Sequence, residues 1–138
     1  MYLLDTNVVS ELRRPRPCQS VLNWIQAVPA DQLHLSSVTI GEIQAGIEIT
    51  REQDAAKADE IEAWLERVLD SYEVLPVDAA AFREWARLMH RQADKLIQDA
   101  LIAAVAIVHR LTVVTRNTRD FKQLDVPALN PFTWSATT

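Results

Sequence analysis

Apolar positions recur along this chain at two spacings. Val21, Trp24, Ile25 and Val28 fall at i, i+3, i+4 and i+7, the stripe of an amphipathic helix. Ile61, Trp64, Leu65, Val68 and Leu69 repeat that spacing, and Phe82, Trp85, Ala86 and Met89 do so again. These aromatic and Met positions read as core. Between the helices lie short apolar runs of strand character: YLL, LHLS, EVLPV and LTVVT. Helices and short strands alternate from end to end, which predicts an α/β fold with a parallel sheet covered on both faces. No repeat, low-complexity tract or linker interrupts the pattern, so residues 1–138 are expected to form one domain.

Two segments depart from simple amphipathicity. SVTIGEIQAGIEI carries Ile40, Ile43 and Ile47 on one helical face and Val38, Ala45 and Ile49 on another. ALIAAVAIV, residues 100–108, is apolar all round. Both are expected to be buried on several sides, in a core or a subunit interface. Asp99 stands immediately before the second run.

Composition removes several function classes. A single cysteine, Cys18, allows no internal disulfide and fits a reducing compartment. The opening apolar run ends at Asp5, which leaves no secretory signal, and no window approaches a membrane span. A cytoplasmic protein is expected. The two glycines, Gly41 and Gly46, cannot build a phosphate loop or a dinucleotide fingerprint, and close helix packing is their expected use. His34, His90 and His109 have no zinc-ligand spacing and read as surface or partly buried histidines. The net charge of −5 argues against holding nucleic acid by bulk electrostatics. Basic residues nevertheless cluster locally, at Arg13, Arg14 and Arg16 and at Arg116, Arg119 and Lys122, where solvated helix ends are an equal reading.

In an open parallel sheet, functional groups collect beyond the carboxyl ends of the strands. Asp5 follows the first strand, Glu42 comes soon after LHLS, and Asn117 and Asp120 follow TVVT. Asp99 begins the helix leading into that last strand, so four acids can face one sheet edge. Each has a plain structural role available. Asp5 can cap the next helix, Thr39–Glu42 and Asn117–Asp120 have capping-box spacing, and Asp99 suits a first helical turn. Two carboxylates about 5 Å apart repel by roughly 3 kcal/mol at an effective dielectric of 20. Four together must protonate in part or bind divalent cations. Oxygen ligands without clustered His or Cys select Mg²⁺ or Mn²⁺, and such a cluster suits phosphodiester hydrolysis. A phosphatase using Asp5 as nucleophile would need a second Asp at position 7, where the chain has Asn.

The segments LLDTNVVSEL, SSVTIGEIQAGI, DALIAAVAIV and VVTRNTRDF resemble, in that order, the four sequence blocks of PIN-domain ribonucleases, most of all the VapC toxins of type II toxin–antitoxin pairs in the FitB-like branch. The blocks run from residue 3 to 121. The resemblance implies a PIN-like three-layer fold and an Mg²⁺-dependent endoribonuclease leaving 5′-phosphate and 3′-hydroxyl ends. It places the acidic quartet on Asp5, Glu42, Asp99 and Asp120, with Asp5 and Asp99 tied most directly to the metal. Glu42 and Asp120 would complete the metal and water site, Asn117 would support it, and Thr6 would orient Asp5. Arg110 departs from the glycine common in relatives and puts that turn's conformation in question. The implied partners are an RNA substrate, a cognate antitoxin, and a second copy in a homodimer. With antitoxin the assembly would be a heterotetramer or larger, and DNA would be reached only through the antitoxin. The alternative is a module of weak catalysis acting in a DNA-bound regulatory complex.

Overall fold

The computed structural model describes residues 1–90 and 92–136. Strand β1 (Tyr2–Leu4) leads into a short helix α1 (Thr6–Glu11), then α2 (Gln19–Ala27), β2 (Leu33–Ser36), α3 (Ser37–Gln53) and α4 (Ala55–Ser71). There follow β3 (Glu73–Leu75), α5 (Ala79–Met89), α6 (Ile97–His109), β4 (Thr112–Val114), α7 (Thr118–Gln123) and β5 (Ala128–Leu129). The five strands form one sheet in the order β3-β2-β1-β4-β5, with every neighbouring pair parallel. β1 lies at the centre. The chain builds outward from it through β2 and β3, then returns to its other side for β4, so a topological switch point falls between β1 and β4.

Alternation along the strands divides the interior into two cores. Leu3 and Val113 face one, lined by Ala100, Ala103, Ala106 and Phe121; Leu4 and Val114 face the other, with Val8, Trp24, Leu35 and Ile47. The all-apolar run in α6 is buried as its pattern requires. Ala100, Ala103, Ala104 and Ala106 are fully enclosed, and their small side chains admit α5 close alongside. The alternating pattern and both sheet faces therefore come out as expected.

Several packing expectations do not. Phe82 is 51% exposed and Ala86 is exposed, because α5 turns Ala81, Trp85 and Leu88 toward the core instead. Leu69 lies at the rim of α4, and Ile49 stands 65% exposed with Ala45 beside it, so the second face of α3 is covered only at its start, where Val38 packs against the first core. Gly41 and Gly46 have nothing near where a Cβ would stand, which removes close helix packing as their reason. EVLPV pairs only over Glu73–Leu75, since Pro76 offers no amide to a ladder. The two-residue β5 is too short to leave a periodic signal. Arg110 adopts the left-handed conformation (φ 57°, ψ 48°) at the end of α6, where Leu111 N–H reaches back to the Ala106 carbonyl at 2.8 Å. A glycine would take that turn without strain. Among the described residues, no helix is long and apolar enough to cross a membrane.

Candidate functional site

The carboxyl ends of β1, β2 and β4 lie side by side, and each hands the chain to a helix at that edge. Asp5 leaves the central strand with its N–H bonded to the Val114 carbonyl at 2.9 Å. Its side chain is 4% exposed and held on both oxygens. Oδ1 accepts from the Thr6 N–H at 2.8 Å; Oδ2 accepts from the Thr115 hydroxyl at 2.7 Å and from Asn7 Nδ2 at 3.2 Å. Asp5 thus caps α1, and the cap fixes where its carboxyl points. Burial raises its pKa from the ordinary value, against the opposing pull of the Thr115, Thr6 and Asn7 hydrogen bonds.

Glu42 rises from the second turn of α3. The Thr6 hydroxyl lies 3.0 Å from Glu42 Oε1 and 3.0 Å from the buried Thr39 hydroxyl. Burial raises the Glu42 carboxyl, Thr6 works against that, and the charge of Asp5 adds to it. The capping box expected for Thr39 and Glu42 is absent. Ser36 caps α3 by accepting from the Val38 N–H at 3.1 Å, which frees Thr39 to bond across to α1. Asn117 likewise stands at the start of α7 without a side-chain capping bond; its N–H donates to Thr115 Oγ1 at 3.0 Å.

Asp99 lies in the first turn of α6, and Asp120 in the first turn of α7 next to the fully buried Phe121. Asp99 is pushed up to about 6, first by burial, then by the charges of Asp5, Asp120 and Glu42, and by a hydrogen bond shared with Asp120. Those influences place all four acids in one another's field, from four different helices or helix caps. Thr6 touches both Asp5 and Glu42, while Asn117 is linked to Asp5 through Thr115. Two contributors escaped sequence reasoning. Thr115 and Asn7 join the Asp5 carboxyl directly, and Asn7 also donates to Thr115 Oγ1 at 3.3 Å. Both sit beside strand ends in the blocks LLDTN and VVTRN, and for Asn7 adjacency to Asp5 was the available signal.

The donors suit a hard divalent cation. All are oxygen, three of the four carboxyls are held above their usual range by burial, Glu42 and Asp99 also by the charge of neighbouring acids, and a cation would relieve that repulsion. As they stand, no three acidic, His or Cys side chains among the described residues are gathered tightly enough to hold an ion. His34 is buried in β2 with Nδ1 3.3 Å from the Tyr2 carbonyl oxygen, and His90 and His109 are exposed.

Comparison with known proteins agrees with this architecture. Residues 2–127 match the PIN domain family. A VapC ribonuclease, Y4jK of Sinorhizobium fredii, is 34% identical, with 96% of this chain and 98% of the relative covered. Toxin FitB of Neisseria gonorrhoeae is 33% identical over 96% of this chain and 99% of its own. The solved structure of FitAB bound to an IR36 DNA fragment superposes with a TM-score of 0.86 at 29% identity, covering all of both chains. With four acids at the carboxyl edge of a 3-2-1-4-5 parallel sheet and a family match over nearly its whole length, the chain belongs to the PIN-domain family.

Proposed function

We propose that this protein is a divalent-metal-dependent endoribonuclease, with Mg²⁺ its working ion and Mn²⁺ a substitute, and that it is the toxin of a type II toxin–antitoxin pair. The observation that carries this reading is the convergence of Asp5, Glu42, Asp99 and Asp120 from four separate elements on one sheet edge. The ribonuclease and toxin relatives support it over the whole chain. The chain would act as one PIN domain in the cytoplasm, as a homodimer neutralised by a small antitoxin in a heterotetramer or larger assembly.

Asp5 and Asp99 would hold the metal, with Glu42 and Asp120 completing the site directly or through water. A bound Mg²⁺ lowers the pKa of water and neutralises charge developing on the phosphate. Asp5 is fixed by three donors, so it sets the position of the site. Glu42 and Asp120 accept hydrogen bonds from the attacking water, and one of them takes its proton. The water oxygen bonds to phosphorus, the bond to the 3′ oxygen breaks, and that oxygen gains a proton, leaving 5′-phosphate and 3′-hydroxyl ends. Thr6 and Asn117 are supports: the first orients Asp5 and Glu42, the second the turn after β4.

The likeness to a DNA-bound complex keeps a second reading in view, a weakly catalytic module working through its antitoxin on DNA. The phosphatase reading falls away: Asn7 is engaged with both Asp5 and Thr115 and offers no acid. The test is purified protein, free of antitoxin, incubated with total cellular RNA in Mg²⁺, in Mn²⁺, in chelator, and as Asp5→Asn. Discrete cleavage needing both metal and Asp5 is expected. Absence of cleavage in a folded, cation-binding protein would favour the DNA-bound module.

A further inference from the structure

The pocket walls described so far are acidic or neutral, yet RNA brings a negative charge with every nucleotide. One cation is built into the strand end itself. The Arg116 N–H donates to Asn7 Oδ1 at 3.2 Å, one residue beyond the Thr115 that holds Asp5. Its guanidinium lies over the Phe132 ring, 3.8 Å from the centroid. Phe132 is in turn held from both sides. Its N–H donates to Asn130 Oδ1 at 2.9 Å, and Cys18 Sγ lies 3.9 Å from its carbonyl oxygen. The ring packs against the core that α1 and α2 share.

Three features set Arg116 apart from an ordinary surface arginine. Among the described residues its guanidinium forms no ion pair and no hydrogen bond, although four acids gather at the same edge. One face is covered by the ring, which leaves the planar N–H fork free, and that fork matches a phosphate's oxygens. Its charge acts on Glu11 at the end of α1, and the Phe132 ring that holds it packs with the core of α1 and α2. The guanidinium is therefore held to the α1 side of the strand end. A contact with a phosphate beside the cleaved bond suits that placement.

We propose that Arg116, held over Phe132, binds the backbone phosphate of a nucleotide flanking the cleaved bond and so fixes how the RNA strand lies across the acids, with Phe132 as its positioning residue. This rests on the ribonuclease reading above. The plain alternative is that the stack only shields Phe132, contributing slightly to stability and nothing to substrate binding.

The experiment uses the full chain and a fluorescent single-stranded RNA that the unaltered protein cuts. Arg116→Ala should raise KM about tenfold and leave kcat within about twofold, as expected for a lost charge-assisted phosphate contact. In an Asp5→Asn background, adding Arg116→Ala should weaken RNA binding by a similar factor and make its salt slope shallower by about 0.7. Arg116→Lys should keep part of the affinity. Phe132→Leu, with its melting temperature checked, should fall between it and the unaltered protein. Mn²⁺ affinity should not change in Arg116→Ala, Arg116→Lys or Phe132→Leu. An unchanged KM and salt slope in Arg116→Ala would overturn the inference while leaving the nuclease intact, as would a loss confined to kcat or to Mn²⁺ affinity. RNA neither cut nor bound by the unaltered protein would remove the nuclease reading and this inference with it.

Discussion

The two sides of the acidic pocket are built differently. On the β1 side, Asp5 is buried and held by Thr6, Asn7 and Thr115, and Glu42 is tied to the same Thr6. On the α6–α7 side, Asp99 and Asp120 have no donor among the described residues beyond the hydrogen bond they share, and Asp99 carries the marked upward shift to about 6. One side is fixed by hydrogen bonds; the other holds a carboxyl raised by burial and by the charge of its neighbours.

The largest effect should come from breaking the anchored side. Asp5→Asn should cut RNA cleavage by about a thousandfold or more, since the loss removes a ligand and the group that sets the geometry. Circular dichroism and melting should show the fold intact, because Asn can still cap α1. Cleavage that survives in Asp5→Asn would mean that the metal lies elsewhere.

Asp99→Asn should also abolish cleavage, but its effect on stability should be opposite to that of a lost structural acid. A carboxyl whose folded pKa is raised binds protons more tightly in the native state than in the unfolded one. Stability therefore falls as pH rises from about 4 through about 6, and the penalty persists above that window. In chelator the unaltered protein should lose melting temperature between those pH values, and Asp99→Asn should flatten the decline. A pH profile unaltered by the substitution would show that the repulsion is not stored at Asp99.

Smaller losses are expected from the supports. Thr115→Val or Thr6→Val should reduce metal affinity or cleavage by about 10- to 100-fold, the usual size for a partner that orients a ligand. The smallest effect lies at the far end of α6. Arg110→Gly should raise stability by about 1 kcal/mol by relieving a left-handed arginine, with cleavage unchanged. A change in cleavage there would mean that α6 transmits its C-terminal turn to Asp99.

The contrast between the two sides also marks how far the sequence could be read. The parallel sheet, the buried α6 and the edge shared by the four acids follow from apolar spacing and strand order, which act locally and leave a regular trace. The anchoring network does not. Thr39 was legible as a capping residue, yet Ser36 takes that role and Thr39 bonds across to Thr6, a choice fixed by how α1 and α3 meet. Thr115 was invisible as an Asp5 partner because 110 residues separate the two in the chain. Phe82 and Ile49 match helical spacing but lie outside, because spacing says which residues share a face and not which neighbour covers it.

The most direct test is calorimetric titration of Mn²⁺ and Mg²⁺ into the unaltered protein and Asp99→Asn, near pH 6 and near pH 8, in buffers of different ionisation enthalpy. Cation binding should release protons near pH 6, where Asp99 is part-protonated, release almost none near pH 8, and weaken strongly in Asp99→Asn. Binding that releases no protons near pH 6 and survives Asp99→Asn unchanged would contradict the account.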